Sequence, residues 1–192
     1  MKNLNILIVG VGGQGTLLAS RFLGTAAALL GKDVKLSEVH GMSQRGGSVI
    51  TCVKIGDKIY SPLIAEGEAD IILSFEQVEA ARWLPYLKKG GTVITNTQTI
   101  ESMPVISGKA VYPENVLEVL QASGIKLITL DALSIAECCG SPKAVNVVLL
   151  GVLASQLKEV DNGIWEQCLE KVIPAKALEI NKKAFAEGLQ RI

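Results

Sequence analysis

Hydrophobic positions fall along this chain in blocks. Leu4 to Val9 is a continuous apolar run closed by Gly10, as in a strand buried on both faces. Thr16 to Leu30 repeats apolar side chains at Leu18, Phe22, Ala26, Leu29 and Leu30 before Gly31, a helical period with a glycine stop. Val34 to Val39 predicts the next strand, and the three pieces make a strand, glycine loop, helix, strand unit suited to a right-handed crossover. Ser48 to Ile55 alternates in part, and Gly56-Asp57 before Lys58 to Ser61 reads as the turn of a β-hairpin that Pro62 ends.

Ala69 to Ser74, Gly91 to Thr95 and Ile125 to Leu130 predict further strands, separated by helical stretches at Glu76 to Leu87 and Glu114 to Ser123. From Asp131 the pattern turns helical, over Ala132 to Cys139, Lys143 to Leu157, Ile164 to Val172 and Ala175 to Leu189. The expectation is an α/β three-layer sandwich with a mostly parallel sheet, a β-hairpin insertion and a helical C-terminal part over 131–192, all within a single domain of residues 1–192.

Between the first strand and its helix, Gly10-Val11-Gly12-Gly13-Gln14-Gly15 satisfies G-x-G-x-x-G in the context that gives the motif meaning, a Rossmann-like turn. Gly10 permits the tight turn, Gly12 and Gly13 a close backbone approach, and Gly15 close helix packing, while Gln14 and Thr16 complete a candidate cofactor loop. Backbone N–H groups at the helix start favour phosphate. Glu38, about 20 residues on, stands where a ribose-binding carboxylate would be in a dinucleotide enzyme. The plain alternatives are glycines that serve backbone packing and a Glu38 that is an ordinary strand end.

The densest run of special residues is His40-Gly41-Met42-Ser43-Gln44-Arg45-Gly46-Gly47-Ser48, at the predicted carboxyl end of a strand, where open α/β sheets bind ligands. Arg45 offers a planar fork for phosphate or carboxylate, Gln44 an amide, and His40 a group that titrates near neutrality. A substrate or partner loop is one reading; an ordinary connector, with His40 solvated and Arg45 paired to Glu38 or Glu66, is the other. Asn96-Thr97-Gln98-Thr99 either flanks the same crevice or caps a turn, and Arg82, Lys88 and Lys89 read as a solvated face.

Composition narrows the field. Nineteen basic against nineteen acidic residues give no net charge, so neither nucleic acid nor a membrane surface is an expected partner. No apolar run reaches the length of about 18 residues that spans a bilayer, and the chain reads as cytoplasmic. Four cysteines, Cys52, Cys138, Cys139 and Cys168, include no C-x-x-C, so no metal site is expected; Cys138-Cys139 reads as core packing ahead of redox chemistry. Val145, Val148, Leu149, Val152 and Leu153 are either a docking patch or core.

Four segments together carry a resemblance: GVGGQG at Gly10 to Gly15, SEVHGMSQRGGSV at Ser37 to Val49, YSPLI at Tyr60 to Ile64 and GEADIILSFE at Gly67 to Glu76. As an ordered set they resemble the gamma-type subunits of 2-oxoacid:ferredoxin oxidoreductases, most of all the indolepyruvate branch. The resemblance implies a subunit of a complex that oxidatively decarboxylates a 2-oxoacid, forms an acyl-coenzyme A and reduces ferredoxin. It places thiamine diphosphate and iron–sulfur clusters on a larger partner subunit and leaves this chain contact with coenzyme A at most. The isolated chain is expected to be inactive and able to pair with a second copy. No residue stands out as nucleophile or base, so the catalytic group is unassigned. Two other readings stay open at this point: a freestanding NAD-dependent dehydrogenase and a nucleotide-binding interaction module.

Overall fold

The computed structural model describes residues 3–39 and 47–191. Its framework is a six-stranded sheet of β1 (Leu4–Val11), β2 (Asp33–Val39), β3 (Ser48–Gly56), β4 (Ala69–Ser74), β5 (Leu87–Asn96) and β6 (Lys126–Leu130). The spatial order is β2-β3-β1-β4-β5-β6. Pairing is parallel from β1 through β4 and β5 to β6. β3 runs antiparallel to both of its neighbours.

Period-two alternation divides the central strands between two cores. Ile6 and Ile8 of β1, Ile71 and Leu73 of β4 and Ile94 of β5 face one core. Leu7, Val9, Ile72 and Val93 face the other. Ile6 through Val9 are all fully buried, which is why β1 is continuously apolar. The first core is covered by α1 (Thr16–Leu29), α5 (Ala132–Cys138), α6 (Val145–Ser155), α7 (Asn162–Val172) and α8 (Leu178–Leu189). The second is covered by α2 (Gln77–Arg82) and α4 (Val116–Ala122); a short α3 (Met103–Ile106) lies in the connection between them in sequence. The three layers expected from the pattern are present.

Two expectations are corrected. The antiparallel partner of β3 is β2, in register from Asp33 opposite Gly56 to Val39 opposite Ile50, and Lys58 to Ser61 forms no strand. β3 is paired on one side with β2, the strand just before it in the chain, and on the other with the distant β1, and the turn-like Gly-Asp that follows it reveals neither. As a result β3 stands between β1 and β2, so the crossover through α1 does not end on the adjacent strand. β2 is an edge carrying Asp33, Lys35 and Glu38, charges that discourage further pairing.

The helical layer is tied by an aromatic cluster. Phe22 of α1 stacks on Trp165 of α7 at 5.6 Å between ring centres, and Phe185 of α8 lies 5.6 Å from Phe22 and 6.4 Å from Trp165. α6 is buried from Asn146 to Ala154, so Val148, Leu149, Val152 and Leu153 are core and not a docking patch. Where α6 crosses α8 the backbones touch: a Cβ on Gly151 would stand 2.2 Å from the Phe185 carbonyl oxygen, and one on Gly188 2.1 Å from that of Val148.

Candidate functional site

The glycine loop leaves β1 and turns into α1 at the carboxyl end of the sheet. Gln14 folds back over the turn: its Oε1 accepts from the Val11 N–H at 2.7 Å, and its Nε2 donates to the Phe75 carbonyl at 2.9 Å. Gln14 is thus a brace between the loop and the end of β4. A Cβ on Gly10 would fall 2.8 Å from the Gln14 oxygen and 3.1 Å from Phe75 Cβ, so that position must be glycine for the brace to close. Gly13 and Gly15 take positive φ, 94° and 89°, the region glycine enters without strain.

One donor of the motif is already spent, because the Gly12 N–H donates to the Gly47 carbonyl at 3.1 Å. The others are not. α1 begins after Gly15 with no side-chain cap, and the N–H groups of Gly13, Gly15 and Thr16 find no acceptor among the described residues. Uncapped N–H groups and the helix dipole together favour an anion. Gly13 and Gly15 line a cavity of about 540 Å³ together with Gln14, Gln98, Lys143 and Asn146, among others.

Glu38 lies elsewhere. Because β3 intervenes, it sits two strands from β1, and its Oε1 accepts from Ser20 Oγ at 2.5 Å. In a dinucleotide fold the ribose carboxylate ends the strand next to β1, so the geometric basis for reading Glu38 that way is gone. His40, Gly41, Met42, Ser43, Gln44, Arg45 and Gly46 lie outside the described residues. Gly47 is the acceptor already named, and Ser48 is an anchor: its hydroxyl donates to Glu79, which also takes the Trp83 Nε1–H at 3.3 Å and the Arg82 Nε–H at 3.1 Å. Arg82 is therefore paired, as is Lys88, with Asp70.

A second polar cluster borders the rim. Glu76, 1% exposed, follows the end of β4 and caps α2, accepting from the Val78 and Glu79 N–H groups at 2.8 and 3.0 Å and from the Tyr112 hydroxyl. Burial pushes the Glu76 carboxyl above its usual range, against the lowering pull of the Tyr112 hydroxyl and the backbone donors. Burial and the adjacent Glu76 push the Tyr112 phenol up as well. Every oxygen of Glu76 is engaged, so it holds the loops around β4 and β5 in place and is not poised as a base. In the Asn96 to Thr99 segment, the buried Asn96 accepts from the Ala132 N–H at 3.1 Å and Thr99 accepts from Gln77 at 2.7 Å, while Gln98 lines the cavity beside the glycine loop. Both readings of that segment hold, each for different residues.

The cysteines are dispersed. Cys52, Cys139 and Cys168 are buried and Cys138 is exposed, so the adjacent pair divides between core and surface. Burial raises the Cys168 thiol to about 11, leaving it protonated and inert near neutrality. Among the described residues no group of three or more His, Cys, Asp or Glu is arranged to hold a metal ion. Those residues therefore do not fit an iron–sulfur cluster.

The profile of the family described as pyruvate ferredoxin/flavodoxin oxidoreductase matches residues 5–191. This chain belongs to that family. A curated relative, the indolepyruvate oxidoreductase subunit IorB of Pyrococcus horikoshii, is 43% identical over 202 aligned positions, covering 99% of this chain and 96% of its own. Solved structures share the family fold. The gamma subunit of a keto/oxoacid ferredoxin oxidoreductase from Geobacter sulfurreducens has a TM-score of 0.71 at 24% identity, over 96% of this chain and 95% of its own. The 2-oxoglutarate:ferredoxin oxidoreductase of Magnetococcus marinus, solved with 2-oxoglutarate, coenzyme A and succinyl-CoA bound, has a TM-score of 0.73 at 20% identity, covering 98% of this chain and 31% of that one.

Lys143 and Asn146 were missed in the sequence reading. The available signal was that Asn146 is the single polar side chain in the run VNVVLLGVLA.

Proposed function

We propose that this chain is the small, cluster-free subunit of an indolepyruvate:ferredoxin oxidoreductase. The observation that carries the reading is the 43% identity to an IorB subunit along almost the whole of both chains. In the complex it docks beside a larger subunit that carries thiamine diphosphate and iron–sulfur clusters, and ferredoxin is met through that partner. The overall reaction joins a 2-oxoacid and coenzyme A, releases carbon dioxide, forms the acyl thioester and hands the electron pair to ferredoxin. The thiamine supplies the electron sink for decarboxylation. What this chain contributes is the Gly10 to Thr16 loop, whose shape Gln14 holds and whose backbone donors suit coenzyme A phosphates, together with the 40–48 segment, whose Arg45 and His40 have the chemistry to meet a substrate carboxylate or the partner.

The same reading makes the chain cytoplasmic, inactive alone and able to pair with itself when isolated. In its support, no helix among the described residues is long and apolar enough to cross a membrane. Exposed apolar side chains such as Tyr60, Leu63 and Val111 are candidates for the partner-facing surface. Purification from the native cell is the test. Recovery with a large thiamine- and cluster-bearing chain is the expected result; recovery as a lone dehydrogenase active with NAD would overturn the reading.

A further inference from the structure

The glycine loop forms one wall of its cavity, and the opposite wall comes from far along the chain. After β6 and α5 the chain returns through Ser141, whose hydroxyl accepts from the Lys143 N–H at 3.3 Å, into the start of α6. Lys143 and Asn146 both line the cavity at that point. Asn146 is 8% exposed, its amide makes no hydrogen bond with any described residue, and the exposure that remains is on the cavity lining. It presses on the loop itself: its Nδ2 lies 2.3 Å from where a Cβ on Gly15 would stand. Gly15 is therefore glycine for two reasons, its positive φ and the room it leaves for this amide.

The polar atoms of the Asn146 amide are not sealed off, since they face the cavity, where water or an occupant meets them. A single polar side chain in an otherwise apolar helix, set on that lining, is placed to pair with an occupant. The surroundings define the chemistry of that occupant. The lining holds one cation, Lys143, with three side-chain amides, Gln14, Gln98 and Asn146, and no carboxylate. Gln14 is spent on both sides, with Val11 N–H and the Phe75 carbonyl, whereas Gln98 turns its oxygen to Asn96 Nδ2 and keeps its own amide N–H groups unpaired, as Asn146 does. No described carboxylate pairs with the Lys143 ammonium. The 14-residue α1 starts uncapped on one side, and the 11-residue α6 starts on the other with no side-chain cap. Two helix N-termini, an ammonium and unpaired amide donors around one hollow make a field for a compact, multiply charged anion.

We propose that Asn146 and Lys143 complete a diphosphate-binding site whose other half is the Gly13 to Thr16 turn, the amide and ammonium gripping phosphoryl oxygens from α6 while the α1 N–H groups hold them from the loop. This deepens the reading of the glycine loop as a phosphate receiver and rests on it. Coenzyme A, a free nucleoside diphosphate and a dinucleotide all carry the group.

Inorganic pyrophosphate, ADP, coenzyme A and NADH titrated calorimetrically into the full chain separate the sources. Pyrophosphate and ADP binding alike assigns the site to the diphosphate itself, and markedly tighter coenzyme A binding names that ester as the occupant. The diagnostic variant is Asn146→Asp, nearly the same shape but negative. A carboxylate in the first turn of α6 is favoured by the helix dipole but loses solvation at a residue 8% exposed, so the thermal midpoint of each variant is measured alongside and binding is compared at a temperature where the variant is folded. Affinity for each bound probe should drop roughly tenfold or more in Asn146→Asp and in Lys143→Met. If both variants bind like the unmodified chain while Gly13→Asp abolishes binding, the loop stands and the α6 half of the site is wrong. If no probe binds the unmodified chain, both readings fall.

Discussion

Asn146 and Gly151 lie little more than one turn apart on α6, yet they meet opposite surroundings. At Gly151 the helix backbone touches that of α8, with no space for a methyl group. At Asn146 it opens onto a cavity with an amide that nothing in the described fold pairs with. The same contrast separates the helical layer, where Phe22, Trp165 and Phe185 close around one another, from the rim at the carboxyl ends of the strands. Apolar packing is concentrated in the layer; backbone and amide donors without a protein partner gather at the rim, where water or a ligand can meet them.

The largest effect should come from the layer. Trp165→Ala removes a side chain that is 2% exposed and should lower unfolding free energy by about 3–5 kcal/mol, read from urea denaturation. Gly151→Ala drives a methyl group against the Phe185 carbonyl and should lose about 1–3 kcal/mol without affecting a ligand at the rim. If it weakened ligand binding and left stability intact, the division between the two regions would be wrong.

At the rim, Glu76→Gln should cost about 1 kcal/mol through the weakened cap, with a distinctive pH dependence. Because burial holds the folded-state carboxyl above its ordinary value of 4.5, the folded protein binds the proton more tightly than the unfolded chain does. The contribution of this group is therefore greatest at low pH and falls as pH rises from 4.5 through the raised value. Glutamine does not titrate, so the stability gap between the two proteins should narrow over that interval; a gap that widens would contradict the burial of Glu76. Ser48→Ala, which deletes the hydroxyl linking β3 to Glu79, should give the smallest change, about 0.5 kcal/mol, by the same denaturation measurement.

What could be read in the sequence followed from how local its cause is. The burial of β1 and β4 is written in unbroken apolar runs, and the start of α1 in its glycines. The pairing of β3 differs from expectation because Gly56-Asp57 has the chemistry of a turn, whereas the partner is β2, the strand before it, joined to it by the longer 40–47 connection. β5 begins at Leu87, earlier than its apolar core suggests, because Lys88, Lys89 and Gly90 extend the strand along exposed backbone. Half of the candidate site was visible as Gly10 to Thr16. The other half was hidden because Lys143 and Asn146 reach the loop only through the packing of α6, and its one trace was a lone asparagine among valines and leucines.

The central claim is that this chain is an obligatory part of a 2-oxoacid:ferredoxin oxidoreductase, and reconstitution tests it most directly. The purified chain is added to the large subunit proposed to bear the thiamine and the clusters, and coenzyme A-dependent reduction of ferredoxin by indolepyruvate is followed. The account predicts negligible turnover from either chain alone and recovery of turnover on mixing. Full activity of the large subunit without this chain would contradict it.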